Sequence, residues 1–233
     1  MPREYRNTFD DSAARDHGAI VARRGDALVH VETWRQLPGG GAIACIVADD
    51  RPGLLSFISA SLAAANMDVL SVRAYTRTRW DRKVPEAVDF VWLRRVGDAS
   101  APIEPADAAR IVKALRGLIG GNLAPESLFP PAPSRGPVSA GATRVGFAGS
   151  LDAGHSVLTV EASDRPGLLL AVTLALFRAR VQILASRADT TEGGVTDRFT
   201  IAEYDGEPLS PQRRDQARSA VHTALEGLAS RPR

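Results

Sequence analysis

A six-residue segment that could hold a small charged ligand occurs twice in the chain. Asp-Arg-Pro-Gly-Leu-Leu covers residues 50–55 and again residues 164–169. In each copy a short apolar run precedes it and an amphipathic pattern follows it, which predicts a turn between a strand and a helix. Free N–H groups and the positive end of the helix dipole suit an anion there. The aspartate suits a cation, and the glycine allows a ligand to approach the backbone closely.

The same segment also has a purely structural interpretation. Proline fits the first turn of a helix, because its missing N–H would be unpaired there anyway. Aspartate just before the proline can cap the helix. On this interpretation the segment only connects a strand to a helix, and the sequence leaves both interpretations open. In either case Arg51 and Arg165 are expected at the surface.

Few other residues could form a reactive or metal-binding site. Cys45 is the single cysteine, which excludes an internal disulfide and a cysteine metal cluster. No histidine precedes an aspartate or lies four residues from another, so each is expected to be a surface or partly buried side chain: His17, His30, His155 and His222. We therefore expect no catalytic residue, no metal and no cofactor.

The repeat extends well beyond the six residues, because the offset of 114 residues also aligns Arg73 with Arg187 and Leu62 with Leu176. Each copy predicts a strand, a helix, a hairpin of two strands and a second helix, with an additional edge strand in front. The predicted strands are 43–48, 68–76 and 87–95 in the first copy and 157–162, 182–190 and 195–203 in the second. The edge strands are 28–34 and 144–148.

Two copies of one unit predict two domains. We assign an N-terminal extension to 1–25, with a polar helix from Ala13 to Arg24, and the first domain to 26–122. Residues 123–142 contain five prolines with glycine and serine, which is typical of a linker. The second domain covers 143–233.

The composition excludes several classes of protein. The 233 residues are 44% hydrophobic and 24% charged, as in an ordinary globular protein rather than a disordered one. No apolar run is long enough to cross a membrane, and no secretory signal is recognised, so a cytoplasmic location is expected. Of the 29 basic residues all but Lys83 and Lys113 are arginine, but they are scattered among 27 acidic residues. This is not the clustered pattern of a nucleic-acid-binding surface, and we expect neither a nucleic-acid nor a membrane partner.

The order of strand, Asp-Arg-Pro-Gly-Leu-Leu, amphipathic helix and strand resembles the ACT domain family. The resemblance implies an α+β fold of two ferredoxin-like (βαββαβ, ACT-type) sandwiches in tandem, each an antiparallel sheet with its helices on one face. ACT domains bind amino acids and regulate enzymes. Tandem copies with this segment further resemble the C-terminal regulatory half of the bifunctional PII uridylyltransferase/uridylyl-removing enzymes, which sense glutamine. Asp89 and Asp197 before the third strand also match that pattern.

The resemblance implies a binding site at the seam between two facing ACT domains. The ligand carboxylate would meet the N–H groups at the helix start, and its ammonium would meet the aspartate. A second polar side chain comes from the facing domain, and the matching positions are Asp68 and Gln182. We expect a free amino acid beside the Asp164 turn, with Gln182 from the facing domain as its second anchor. The facing domain is either the first copy of the same chain or a copy in a second chain. The candidate residues are Asp164, Gly167, Leu168, Leu169 and Gln182 in the second copy and Asp50, Gly53, Leu54, Leu55 and Asp68 in the first, where Asp68 would add negative charge.

The resemblance also limits the possible functions. The nucleotidyltransferase motif and the histidine–aspartate metal set of those enzymes match nothing in this sequence, so no catalysis is implied. We expect an amino-acid sensor, with glutamine favoured, that forms a homodimer or an intrachain ACT pair and acts on a regulated enzyme or a PII-type protein. The alternatives are a non-catalytic dimerisation or interaction module, and a regulatory fragment of a PII uridylyltransferase.

Overall fold

The computed structural model describes residues 3–78, 83–129, 143–148, 155–191 and 194–229. The first part contains helices α1 (Arg3–Thr8), α2 (Asp11–Arg24), α3 (Leu54–Ala64) and α4 (Pro105–Ile119) and strands β1 (Val29–Gln36), β2 (Ala42–Asp49), β3 (Met67–Arg77) and β4 (Glu86–Arg95). The second part contains strands β5 (Arg144–Ala148), β6 (Ser156–Ala162), β7 (Val181–Thr191) and β8 (Gly194–Glu203) and helices α5 (Leu168–Arg178) and α6 (Pro211–Ala229). A 3₁₀ turn covers Pro125–Leu128. The predicted strands are confirmed, whereas most of the predicted linker and part of the second hairpin turn lie outside the described residues.

All eight strands form one antiparallel sheet, in the order β1-β2-β4-β3-β7-β8-β6-β5. The first copy supplies one half and the second copy the other, and both halves have the spatial strand order of a ferredoxin-like unit. The edge position is filled by the strand that precedes each unit, β1 or β5, so the described elements of each copy run ββαββα rather than the expected βαββαβ. The halves join where β3 pairs with β7, from Ser71 opposite Asp189 to Ala74 opposite Ser186. The two predicted sandwiches therefore share a continuous sheet.

A local two-fold axis relates the copies. At the centre of the seam Arg73 pairs with Arg187, and these are the same position of the repeat. Because β3 and β7 run in opposite directions through this pair, the start of each strand lies near the end of the other. Each end of the seam thus combines the turn of one copy with the first strand residues of the other.

Helices α3 to α6 cover one face of the sheet and bury the main core. Both copies contribute to one cluster of buried side chains, which includes Leu62, Val91, Leu158, Leu176 and Phe199. Helices α3 and α5 also contact each other across the seam, where Ala60 packs with Leu170 and Leu174. The core is therefore continuous from one copy to the other.

The N-terminal helices, for which the sequence predicted no position, lie on the opposite face of the first copy. There the sheet presents apolar side chains, including Cys45, Val47 and Phe90, to residues of α1 and α2 such as Tyr5 and Ile20. The corresponding positions of the second copy are polar: Thr159, Glu161 and Arg198. An apolar outer face requires a cover, and a polar one does not.

A buried ion-pair network anchors α2 to this face. The Arg24 guanidinium contacts Glu86 Oε1 and Asp49 Oδ1, each at 2.7 Å, and Arg77 approaches the other Glu86 oxygen. Glu86 is fully buried. None of the described helices is both long and apolar enough to cross a membrane.

Candidate functional site

The repeated segment forms the same tight turn in both copies. The Leu54 N–H donates to the Arg51 carbonyl at 3.1 Å, and Gly53 has φ 81° and ψ 1°. In the second copy the Leu168 N–H donates to the Arg165 carbonyl at 3.2 Å, and Gly167 has φ 81° and ψ 4°. Proline followed by glycine with positive φ defines a type II β-turn.

This turn corrects two details of the predicted site. Helices α3 and α5 begin after the turn, with Gly53 and Gly167 as N-caps and no side-chain cap, so the aspartates do not cap them. The N–H groups of Leu54 and Leu168 are already used inside the turn. Among the predicted donors, the glycine and second leucine N–H groups make no hydrogen bond within the described residues and are available to a ligand. The side chains of all four leucines are buried: Leu54, Leu55, Leu168 and Leu169.

Asp50 is held at the end of β2 by two hydrogen bonds. Its N–H donates to the Pro85 carbonyl, and the Thr76 hydroxyl donates to its Oδ2, each at 2.8 Å. Burial raises the pKa of Asp50, although the bonds from Thr76 and from the Arg51 backbone lower it. The carboxylate is therefore placed and oriented, with part of its hydration already removed.

A second carboxyl lies deeper in the same place. Asp89 is 3% exposed, and its Oδ1 accepts a hydrogen bond from the Tyr75 N–H at 3.3 Å. Burial, and then the charge of Asp50, raise the pKa of Asp89 to about 8. Sequence reasoning named Asp89 only for its match to a family pattern and gave it no role.

Within one chain the structure places Gln182 at the first turn, so the predicted pairing with Asp164 would need a Gln182 from a second copy of the chain. The far end of β7 leads to the second turn, because Thr190 pairs with Val195 and Val195 pairs with Ala162, which precedes that turn. Gln182 lies eight residues before Thr190 along β7. At about 3.3 Å per residue, the two ends are about 26 Å apart. The seam register instead brings Gln182 to the Asp50 turn and Asp68 to the Asp164 turn.

A narrow cavity of about 30 Å³ lies at the first turn, between the copies. Its walls include Asp50, Arg51, Gly53, Thr76 and Asp89 from the first copy and Thr173, Phe177, Val181, Gln182 and Ile183 from the second. Within the described structure, the buried Gln182 Oε1 accepts no hydrogen bond and the buried Arg51 Nε donates none. Unmet buried polar atoms cost free energy, about 1–3 kcal/mol each. An acceptor and a donor are thus available to a polar ligand.

The second turn has a different electrostatic environment. Asp68 forms an ion pair with Arg94 at 2.7 Å, which compensates the negative charge expected there. Partial burial, and then the charge of Asp68, raise the pKa of Asp164, and Arg94 opposes them. The Nε of Arg165 is also buried without a hydrogen-bond partner among the described residues. Both turn arginines are partly buried, so the prediction of surface positions is only partly met.

The part of the chain that the structure describes contains no grouping of three or more histidine, cysteine, aspartate or glutamate side chains that could hold a metal ion. His17, expected at or near the surface, is only 2% exposed, and its Nδ1 is hydrogen-bonded to the Tyr5 hydroxyl at 2.7 Å. Burial lowers the pKa of His17 to about 4. It is a neutral member of the aromatic cluster under the N-terminal helices.

Sequence reasoning missed Thr76 and Phe177 as residues of the site. Thr76 had a detectable signal, because the repeat offset aligns it with Thr190. Phe177 had none, since the first copy has Ala63 at that position.

Known proteins similar to this chain include bifunctional uridylyltransferase/uridylyl-removing enzymes. That of Rhodospirillum rubrum is 27% identical over 228 residues, which are 95% of this chain and 24% of the enzyme. Those of Gluconobacter oxydans (27% over 232 residues, 96% and 24%) and Phenylobacterium zucineum (26% over 217 residues, 86% and 22%) are similarly related. The chain thus spans less than a quarter of the length of these relatives. No family model and no solved structure matches it.

Proposed function

We propose that this chain is a non-catalytic regulatory module, a tandem ACT-type pair that binds a free amino acid at the seam between its copies. Glutamine is the favoured ligand, and cytoplasmic nitrogen regulation the favoured setting. Similarity to part of a uridylyltransferase/uridylyl-removing enzyme supports a regulatory role, because the catalytic motifs of those enzymes match nothing in this sequence. The two-fold pairing of β3 with β7 supports a site at the seam.

The observation that carries this proposal is the meeting of the Asp50 turn with the unpartnered Gln182 oxygen. The ligand ammonium would pair with the Asp50 carboxylate. The ligand carboxylate would accept from the Gly53 and Leu55 N–H groups at the start of α3. The side-chain amide of glutamine would donate to Gln182 Oε1, which completes the hydrogen bonding of that buried oxygen.

Calorimetry with glutamine and the other amino acids tests the site. A charge-assisted hydrogen bond contributes about 1.5–3 kcal/mol. Asp50→Asn should therefore weaken glutamine binding about tenfold to a hundredfold. Gln182→Leu should weaken it to a smaller extent, because a neutral bond is lost. Asp164→Asn makes the same change at the other turn and should leave the affinity nearly unaltered.

An interaction module without a ligand is the second candidate, favoured by the small volume of the cavity. If none of the twenty amino acids gives heat with the wild type or with any variant at this turn, the interaction module is the better account. If Asp164→Asn alone abolishes binding, the ligand occupies the second turn, as the sequence predicted.

A further inference from the structure

The two copies differ in sequence at the position of the residue that faces Gly53 in the first turn. The repeat offset aligns Phe177 of α5 with Ala63 of α3, and the local two-fold axis gives these residues equivalent places. Phe177 belongs to the second copy and approaches Gly53 of the first. Ala63 is its counterpart for Gly167, and it lacks a ring.

The Phe177 ring fills the space directly over Gly53. A Cβ atom added to Gly53 would lie 2.5, 2.7 and 2.9 Å from three atoms of that ring. The ring packs edge-on against Phe57, with centroids 5.7 Å apart, and the carbonyl of Phe177 accepts a hydrogen bond from the Tyr204 hydroxyl. Phe57 thus holds the side chain of Phe177, and Tyr204 holds its backbone.

The ring also limits the volume of the site. A cavity of about 30 Å³ accommodates a water-sized group, whereas an amino acid with a side-chain amide is several times larger. The space over Gly53 is where a ligand would reach the N–H groups of the turn. With the ring in this place, a ligand larger than water does not fit in the space over Gly53.

We propose that Phe177 is a size-selecting gate for the seam site at Gly53 and makes the two ends of the seam unequal. This inference rests on the proposed amino-acid binding. At the Asp50 turn the ring must leave Gly53 and give up its contact with Phe57 before a ligand enters. That displacement reduces affinity for every amino acid, and more for a long side chain than for glycine. It also links occupation of the site to the contact between α3 and α5.

Calorimetry on the full chain, with glutamine and glycine as separate probes, tests the gate. Phe177→Ala should strengthen glutamine binding at least tenfold and glycine binding by a smaller factor. Phe57→Ala is the matched control. It removes the other phenyl ring of the same contact between α3 and α5, and Phe57 does not line the cavity. It should change the glutamine-to-glycine ratio less than Phe177→Ala does. Adding Gln182→Leu to Phe177→Ala should reduce the gain and so locate it at this end of the seam.

The possible results separate the gate from the proposed function. Binding by Phe177→Ala alone, with none by the wild type, supports the gate in its strongest form. Glutamine binding by the wild type that Phe177→Ala leaves unchanged overturns the gate and leaves the proposed function intact. If Phe57→Ala strengthens glutamine binding as much as Phe177→Ala does, the gate is also overturned, because looser packing between α3 and α5 would then explain both gains. No binding of either probe to any variant overturns both.

Discussion

The fold buries the Asp89 carboxyl. In the described structure, no arginine, lysine or histidine side chain forms a hydrogen bond with it. It receives the Tyr75 N–H and lies near Asp50, and its pKa is raised to about 8 by burial first and by Asp50 second. The folded chain therefore keeps a proton on Asp89 over a pH range in which the unfolded chain has lost it. The contribution of Asp89 to stability therefore falls as pH rises from about 4 to about 8, and levels off above that.

Asp89→Asn should remove this pH dependence, because an amide keeps the acceptor for Tyr75 and cannot ionise. The wild type loses at most about 1.4 kcal/mol of unfolding free energy per pH unit from this group. The variant should thus be the more stable protein at pH 8 and similar to the wild type at pH 4. Urea unfolding at pH 4, 6 and 8 measures the difference. Parallel pH curves for the two proteins would show that Asp89 is ionised in the fold.

At the scale of elements, the two strand–turn–helix units offer a matched pair of glycines. Gly53 and Gly167 have the same φ of 81°, and Gly53 lies under the Phe177 ring, whereas the repeat places Ala63 at the position equivalent to Phe177. Alanine at positive φ costs about 1–2 kcal/mol at either position. Contact with Phe177 should add about 1–3 kcal/mol of overpacking at Gly53. Gly53→Ala should therefore destabilise the protein more than Gly167→Ala, as measured by urea unfolding.

The excess should disappear in a Phe177→Ala background, where the methyl group has space. This double-mutant cycle needs no ligand, so it tests the packing at the turn separately from binding. An equal cost for the two glycine substitutions in the wild-type background would place the ring elsewhere in solution.

The elements were largely predictable from sequence, and their long-range arrangement was not. Alternating apolar residues located the strands, and apolar residues at helical spacing located the helices. Because the unit occurs twice, each element was predicted independently in both copies. The type II turn was missed although Pro52-Gly53 is its usual pair, because proline was assigned to the helix start. The cover on the first copy also had a signal: residues 42–48 are apolar at consecutive positions, which is typical of a strand buried on both faces.

The site was only half predictable for a physical reason. Local sequence located the two turns and named Asp68 and Gln182. Which of these meets which turn depends on the register of β3 against β7, which pairs residues more than a hundred positions apart. No local pattern encodes that register, so the sequence could not show that Gln182 meets the Asp50 turn of its own chain.

At the scale of the whole molecule, the copies behave as one body because they share a sheet and a core. Separated, the first copy would expose the edge of β3 and the second that of β7, and each would uncover apolar residues of the seam such as Ala60 and Leu174. An unpaired edge readily pairs with another strand. Because the seam is nearly two-fold symmetric, β3 of a separated first copy can pair with β3 of a second molecule in the place of β7.

Two half-chains, 1–129 and 143–233, should therefore form a one-to-one complex when they are co-expressed. Each half alone should self-associate rather than remain monomeric. Size-exclusion chromatography with light scattering distinguishes the complex, the self-associated halves and the monomers. Leu174→Asp in the second half should weaken the complex at least tenfold, because Leu174 is 3% exposed at the helix contact across the seam. Arg198→Asp also introduces an aspartate, but at an exposed position on the opposite face, and should leave the complex intact. Halves that are monomeric and do not bind each other would show that the linker, rather than the shared sheet and core, keeps the copies together.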